Sequence, residues 1–343
     1  MSFVQEDATA SPVSSPSGIS LARRILRPRT LISFAIGLII LGFGITRLNI
    51  DVAGTWHVIA SANWRLYAIG FVIYYLAFPV RALRWRRMLE NTGYRRDQLP
   101  KLPVLGEIIF LSWFVNGIVP AKLGDVYRAY VLRQRSIVSG PRGGGTIIAE
   151  RLLDLAVMLV LLGISGLLSF RGRLPGTVLT VIEFGCVIVL IGGIGLLSMR
   201  RLDPIIRRFV PSRFHELYEH FQTGTVGAFG HYPELLSLTL LAWFIETARL
   251  YFVTQAIGVT LSPNFGVNLL MVMFIALGEA LLTAPPGTPA GLGYVEATVV
   301  GALVLLHVNQ TVALSVALLD RSISFLSIVV IGFFVYLYSQ RHA

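Results

Sequence analysis

The chain has 343 residues, of which 55% are hydrophobic and only 14% are charged. Its mean hydropathy of +0.71 excludes an ordinary soluble domain and predicts a polytopic membrane protein. The net charge of +11 does not predict a nucleic-acid partner, because the arginines cluster beside apolar segments, where they orient the chain and attract anionic lipid heads. Cys186 is the only cysteine, so an internal disulfide and a cysteine metal cluster are excluded.

The chain begins with residues 1–29, which are rich in Ser, Pro and Arg and predict a disordered basic tail. No small-residue cleavage site follows the next apolar run, so we expect an uncleaved first span. Apolar windows of about the 20 residues that a spanning helix needs lie at 31–48, 64–83, 146–169, 177–199, 235–257 and 311–338. Two further apolar regions, 103–119 and 264–308, are interrupted by Pro and Gly. The fold class is therefore predicted as all-α, with about six spanning helices.

A short phrase occurs twice at these interruptions, as Pro-Ala-Lys-Leu-Gly-Asp-Val at 120–126 and Pro-Ala-Gly-Leu-Gly-Tyr-Val at 289–295. Pro and Gly leave backbone groups that hydrocarbon cannot satisfy, so such segments are buried in protein or line a wet cavity. Duplicated interruptions are typical of transporters with internal repeats. We predict two re-entrant helical hairpins, in repeats at about 64–170 and 235–338. Two proline kinks in ordinary helices are the alternative.

Basic residues predict the orientation, because cytoplasmic loops are enriched in Lys and Arg. The N-terminal tail and the stretches Arg81–Lys101 and Arg200–Arg213 are basic and are predicted to be cytoplasmic, as are both termini. The stretch Lys122–Arg142 is also basic, whereas 264–308 has almost no basic residue at either end. The hairpins are therefore predicted to enter from opposite faces, which makes the repeats inverted.

The stretch 203–233 mixes aromatic and basic residues and predicts a cytoplasmic interfacial helix. His215 and His220 within it lie about 140° apart on a helix and do not form the zinc pair of a metalloprotease. Gly143–Gly145 lacks the Lys-Ser/Thr ending of a phosphate loop and is interpreted as a flexible linker. We expect no metal, no cofactor and no catalytic residues.

Charged residues inside the apolar segments carry the functional prediction, because each costs at least about 2.5–3.5 kcal/mol at the bilayer centre. Glu150, Arg151 and Asp154 follow the first phrase, and Asp320 and Arg321 follow the second. Glu150 and Asp154 have i, i+4 spacing and share one helix face. Structural ion pairs that hold helices together are the alternative to a binding site.

A second group of interior charges consists mainly of acids. Glu246 and Arg249 have the i, i+3 spacing of a pair on one helix. Glu107, Glu279 and Glu296 have no nearby basic residue in sequence, so each needs a distant Arg, water or a proton. Because burial raises the pKa of a carboxyl group, they are predicted as proton-coupling sites or counter-ions. Glu296 is the strongest candidate, since it follows the second phrase by about one helical turn.

These residues resemble the lysylphosphatidylglycerol synthase transmembrane region, a family also described as flippase-like membrane proteins. The resemblance covers roughly 30–340 and rests on Asn116–Pro120, Leu123–Asp125 with Arg128, Glu150 and Arg151 with Asp154, Pro289–Gly293 with Glu296, and Arg321. Asp125 stands where the family more often has Glu. The resemblance implies a single transmembrane domain over 30–340. The family includes the membrane half of the multiple peptide resistance factor, which moves a lipid that a separate soluble half aminoacylates; we expect this chain to lack that synthase half.

The resemblance and the interior charges together predict a lipid translocase of the plasma (inner) membrane that alternately exposes a midplane cavity. Arg151 and Arg321, with Arg128 at the cavity mouth, are predicted to hold a phosphate, which fits the guanidinium fork. The other predicted binding residues are acids, an amide and glycines: Glu150, Asp154, Asp125, Asp320, Asn116, Gly124 and Gly293. The lipid is predicted to be an anionic or aminoacylated phospholipid, a polyprenyl-phosphate lipid or another glycolipid. A homo-oligomer and a separate lipid-synthesising enzyme stay open as partners.

Two other classes of function stay open. One is an intramembrane enzyme such as a polyprenyl-phosphate phosphatase or transferase, against which stands the lack of a His-centred phosphatase set or metal-carboxylate cluster in the spans. The other is a scaffold that regulates envelope lipid enzymes.

Overall fold

The computed structural model describes residues 51–119, 123–170, 176–209, 211–283 and 288–341, and in these ranges the chain forms helices and no strand. The predicted tail at 1–29, the predicted span at 31–48 and the start of the first repeat phrase, Pro120–Lys122, lie outside the described residues.

The described helices are α1 (Val52–Ala60), α2 (Trp64–Asn91), α3 (Leu102–Ile118), α4 (Leu123–Arg135), α5 (Gly140–Ser169), α6 (Gly176–Phe209), α7 (His215–Gly227), α8 (Tyr232–Ile257), α9 (Phe265–Leu282), α10 (Tyr294–Leu305), α11 (Gln310–Arg321) and α12 (Ile328–Arg341). Short 3-10 turns lie at Arg96–Gln98, Ser212–Phe214 and Pro289–Gly291. A π-helical turn, Ser322–Ser327, joins α11 to α12.

Within the described ranges, six helical segments are long and apolar enough to cross a membrane: Trp64–Asn91, Gly140–Ser169, Ile182–Met199, Tyr232–Ile257, Phe265–Leu282 and Gln310–Ser339. Five coincide with predicted windows, and the other is α9, in the region predicted to be interrupted. The prediction of an all-helical, multi-pass membrane protein is confirmed.

Helix α2 extends beyond its predicted window and carries two arginines into the bundle. The side chain of Asn63 caps its N-terminus by accepting from the backbone amides of Arg65 and Leu66. Arg81 and Arg84 are 5% and 0% exposed. The sequence assigns both to a basic stretch predicted to be cytoplasmic, and this orientation stays a prediction; the structure shows that both lie inside the bundle, where acids on other helices pair with them.

Helices α3 and α4 are antiparallel and form a helical hairpin. At one end, Glu107 lies 3.0 Å from Arg135. At the other end, the backbone amide of Gly124 donates to Asn116 Oδ1 over 2.8 Å. A Cβ atom on Gly124 would overlap the carbonyl oxygen of Ser112, so only glycine allows this close approach.

The second repeat phrase interrupts the chain between α9 and α10, which pack against each other. Ala290, Gly291 and Gly293 all have positive φ angles, of 46°, 71° and 87°. Such angles suit glycine but strain alanine. The backbone amide of Gly293 donates to Glu296 Oε2 over 2.7 Å, which caps the start of α10.

Gly143–Gly145 is helical and not the flexible linker that the sequence indicates. The reason is close packing between α5 and α7, because a Cβ atom on Gly145 would overlap the backbone around Phe221 and Thr225. The stretch 203–233 comprises the end of α6, a 3-10 turn, α7 and the first residues of α8. Its interfacial position stays a prediction.

Candidate functional site

A cavity of about 470 Å³ lies between helices of both halves of the chain, within the range of about 300–1,000 Å³ that is usual for ligand sites. Its described lining includes four arginines and four acids, which are Arg81, Arg151, Arg249, Arg321, Asp125, Asp154, Glu246 and Glu279. Asn116 and the aromatic residues Tyr74, Trp113, Trp243 and Phe325 also line it. A cavity this rich in charge suits a polar ligand and not an apolar one.

On the side of the first hairpin, Arg151 forms a two-point ion pair with Asp125. Arg151 Nε donates to Asp125 Oδ2 over 3.0 Å and Nη2 donates to Oδ1 over 2.7 Å. Asp125 lies in the first turn of α4, directly after Gly124. The Arg151 side chain is 38% exposed, so it is accessible from the cavity.

On the side of the second hairpin, Arg321 is bound to the segment between α9 and α10. Arg321 Nε donates to Glu296 Oε1 over 2.9 Å, and Nη2 donates to the carbonyl of Ala290 over 3.1 Å. Glu296 lies in the first turn of α10 and also accepts from the amide of Gly293. Both oxygens of Glu296 are therefore engaged, which favours the counter-ion alternative over the proton-coupling one.

The two ion pairs occupy equivalent places in the chain. Asp125 precedes Arg151 by 26 residues, and Glu296 precedes Arg321 by 25 residues. In each case the acid lies in the first turn of a helix that begins within a repeat phrase, and the arginine lies on the next helix. The sequence predicts two symmetric arginines, and the structure brings both to one cavity.

Behind the cavity, Arg84 joins Glu150 and Asp154. It donates to Asp154 Oδ1 over 2.5 Å and to Glu150 Oε1 over 2.9 Å, which confirms that the two acids share a face of α5. Arg128 donates to the other oxygen of Glu150 over 2.8 Å and stacks on Trp85 at 3.8 Å. The sequence places Arg128 at the cavity mouth; it is instead 2% exposed, because this pairing and stacking hold it inside.

A third cluster surrounds Arg249 on α8. Its guanidinium lies 3.4 Å from Glu246, which confirms the predicted i, i+3 pair, and 3.5 Å from Glu279. Asp320 on α11 is its third acidic partner. Glu246 also accepts from Arg81 over 3.0 Å. Unlike the arginine sites described above, this cluster has more carboxylates than guanidiniums among the described residues.

The remaining predicted site residues lie at the hairpin ends or away from the cavity. Gly124 and Gly293 lie at the hairpin ends, and their amides are already bonded within the protein. Asn116 lines the cavity, but its side-chain oxygen accepts from Gly124. Glu107 pairs with Arg135, and both side chains are about a quarter exposed, at 27% and 26%. Glu107 is therefore remote from the site.

Sequence reasoning missed Arg81, Arg84 and the aromatic residues of α2 that accompany them. Their signal is spacing, because Tyr74, Phe78, Arg81, Arg84 and Trp85 follow the i, i+3, i+4 pattern of one buried helix face. Counting basic residues along the chain ignores this face. Arg81 lies 4.8 Å from the ring centroid of Trp113, and such stacking helps to keep a guanidinium inside a protein.

Its helices and charged interior cavity define the chain as a multi-pass membrane protein with a polar site enclosed among its helices. Polar groups of this kind inside a membrane protein mark a ligand or ion pathway. The chain belongs to the family of the lysylphosphatidylglycerol synthase TM region, whose family model matches residues 30–332.

Several named proteins are similar to this chain. A UPF0104 membrane protein of Methanocaldococcus jannaschii is 35% identical over 230 residues, covering 67% of this chain and 95% of the relative. A UPF0104 membrane protein of Methanothermobacter thermautotrophicus is 28% identical over 294 residues, covering 79% and 82%. Glycosyltransferase AglD of Haloferax volcanii is 28% identical over an alignment of 350 residues, which covers 89% of this chain. The chain spans 54% of the length of AglD.

Proposed function

We propose that this protein is a translocase that moves a phosphate-containing lipid between the leaflets of the plasma membrane. The observation that carries the proposal is the pair of equivalent ion pairs, Arg151 with Asp125 and Arg321 with Glu296, at a single cavity. Family membership and the interior position of the cavity support it. In this proposal the protein performs no covalent chemistry and has no catalytic residue.

The headgroup binds to the arginines of the cavity. Arg151 presents the edge of its guanidinium, and a phosphate competes with Asp125 for the same two donors. Asp154, Glu246 and Glu279 supply negative charge for a cationic group on the same headgroup. A cavity of about 470 Å³ holds a headgroup, while the acyl or prenyl chains stay in the surrounding hydrocarbon.

The two hairpins provide the alternating exposure. In the proposed arrangement both are re-entrant, they enter from opposite faces, and both termini are cytoplasmic. Each hairpin is bound to the following helix of its own half by one arginine. When the headgroup replaces one acid, that hairpin is released and the cavity opens on its side. Interior helix ends and backbone amides are the usual ion-binding elements of transporters with inverted repeats.

The substrate class follows from the arginines and from the relatives. A phosphate is the shared element, and an aminoacylated or other phospholipid, a polyprenyl-phosphate lipid and a phosphate-linked glycolipid all carry one. The similarity to glycosyltransferase AglD favours inclusion of glycolipids among the candidates. An intramembrane glycosyl or phosphate transfer and a regulatory scaffold are the competing functions.

Reconstitution into liposomes separates these three functions. We expect the full chain to redistribute a labelled phospholipid or polyprenyl-phosphate lipid between leaflets without changing its mass. An enzyme would change the mass of the lipid. A scaffold would change neither the mass of the lipid nor its distribution between leaflets. The Arg95→Ala variant is the matched control, because Arg95 pairs with Asp97 at the surface and both side chains are mostly exposed, at 79% and 66%. Equal redistribution in protein-free liposomes would contradict the proposal.

A further inference from the structure

Among the residues that the structure describes, the interior charge network contains one carboxylate more than it has guanidiniums. The ion pairs join six arginines, Arg81, Arg84, Arg128, Arg151, Arg249 and Arg321, to seven acids, Asp125, Glu150, Asp154, Glu246, Glu279, Glu296 and Asp320. An unmatched charge in a buried site is costly, and an ionisable group there takes its neutral form instead. The network is therefore expected to hold one proton.

The contacts of each acid indicate which one holds the proton. Glu150 uses its two oxygens for Arg84 and Arg128. Both oxygens of Asp125 and both of Asp154 accept from arginines, and Glu246 has one arginine at each oxygen. Glu296 accepts from Arg321 and from a backbone amide. Each of these acids therefore has a donor at both oxygens, and Asp320 likewise has Arg249 at one oxygen and the hydroxyl of Ser324 at the other, over 3.5 Å.

Glu279 is held much less firmly than these acids. Its Oε1 lies 3.5 Å from Arg249, at the limit of an ion pair, and Arg249 is shared with Glu246 and Asp320. Its Oε2 is buried, and no group among the described residues forms a hydrogen bond with it. Glu279 is 5% exposed, yet it lines the cavity. A buried oxygen without a donor, on a residue that lines a polar cavity, is the place where a proton binds.

We propose that Glu279 binds an exchangeable proton and that this proton couples to translocation, an inference that rests on the proposed function. The charged groups that face it are Glu246 and Arg249 on α8, Asp320 and Arg321 on α11, and Arg151 and Asp154 on α5, with Glu296 on α10 behind Arg321. When Glu279 is neutral, Arg249 keeps its ion pairs with Glu246 and Asp320. When a headgroup whose net charge is +1 enters, loss of the proton keeps the total charge of the site unchanged.

Infrared spectroscopy tests proton binding separately from transport. In pH-difference spectra of the reconstituted full chain, we expect a carbonyl band of a protonated carboxylic acid near neutral pH that disappears in Glu279→Gln. Glu107→Gln is the matched control, since it makes the same change at a residue outside the cavity, and it should keep the band. If the band is absent from the wild type, or persists in Glu279→Gln, the proton site is wrong. Should Glu279→Gln fail to fold, Glu279→Asp keeps a carboxyl group and must shift the band.

Transport under an imposed pH gradient tests the coupling. We expect wild-type and Glu107→Gln redistribution to respond to the gradient, and Glu279→Gln redistribution to ignore it. Wild-type redistribution that ignores the pH gradient, or that depends on sodium instead, would overturn the coupling. If the infrared band is present and no lipid moves, the translocase function fails while the proton site stands.

Discussion

Arg321 binds the segment between α9 and α10 at two points, through Glu296 over 2.9 Å and through the carbonyl of Ala290 over 3.1 Å. Ala290 has a φ angle of 46°, which is unfavourable for a residue with a Cβ atom. Arg321 thus stabilises a strained backbone next to the cavity. Strain of this kind persists only when surrounding contacts hold it, so Arg321 has a structural role as well as its proposed role in binding.

We expect Arg321→Ala to destabilise the protein by about 3–5 kcal/mol, because it leaves the buried carboxylate of Glu296 without its partner. Thermal unfolding in detergent measures this loss. The double variant Arg321→Ala with Glu296→Gln should recover part of the stability, since the unpaired charge is then removed. An Arg321→Ala protein as stable as the wild type would contradict this account.

Replacement of Arg151, unlike replacement of Arg321, is expected to impair transport without a large loss of stability. The side chains of Arg151 and Asp125 are 38% and 21% exposed at the cavity, so loss of this pair costs less than loss of a fully buried one. Arg151→Ala should therefore fold normally but lose lipid redistribution in liposomes, while Arg151→Lys should recover only part of it because Lys lacks the planar fork. Arg95→Ala serves as the surface control. Full transport by a stable Arg151→Ala protein would remove Arg151 from the proposed site.

The sequence predicts the helical class and most spans because hydropathy alone determines where a chain enters a membrane. It also predicts the Glu246–Arg249 pair, since both residues lie on one helix. It could not find the partners of Glu279 and Glu296, because these arginines lie on other helices and no local spacing connects them. Tertiary packing decides such contacts.

Two positions that the sequence does not place correctly within the bundle have a common physical origin. The sequence counts Arg81 with a basic stretch because of its charge, and it interprets Gly143–Gly145 as a flexible linker. In both cases a neighbouring helix supplies what the isolated segment lacks, an acid for Arg81 and close backbone packing for the glycines. Only the placement of α8 and α7 reveals these partners.

The first hairpin should depend on the absence of a side chain at Gly124. A Cβ atom there would overlap the Ser112 carbonyl and the Asn116 side chain, so Gly124→Ala should cost about 1–3 kcal/mol through overpacking. Gly144→Ala is the matched control, because a Cβ atom on Gly144 meets no atom within 4 Å and alanine favours the helix. Equal melting temperatures for the two variants would show that the close approach of α3 and α4 at Gly124 does not contribute to stability.

The proposed inverted arrangement makes a topological prediction. Gln134 lies at the end of α4 and Asn309 caps the start of α11, and both are exposed. In a background without Cys186, Gln134→Cys should react with an impermeant thiol reagent from the cytoplasmic side. Asn309→Cys should react from the other side, because only the first hairpin is flanked by arginines, such as Arg133 and Arg135. The loss of the Asn309 cap costs about 1 kcal/mol, which leaves the fold intact for labelling. Reaction of both cysteines from the same side of sealed vesicles would refute the inverted repeats and with them the alternating entry of the two hairpins.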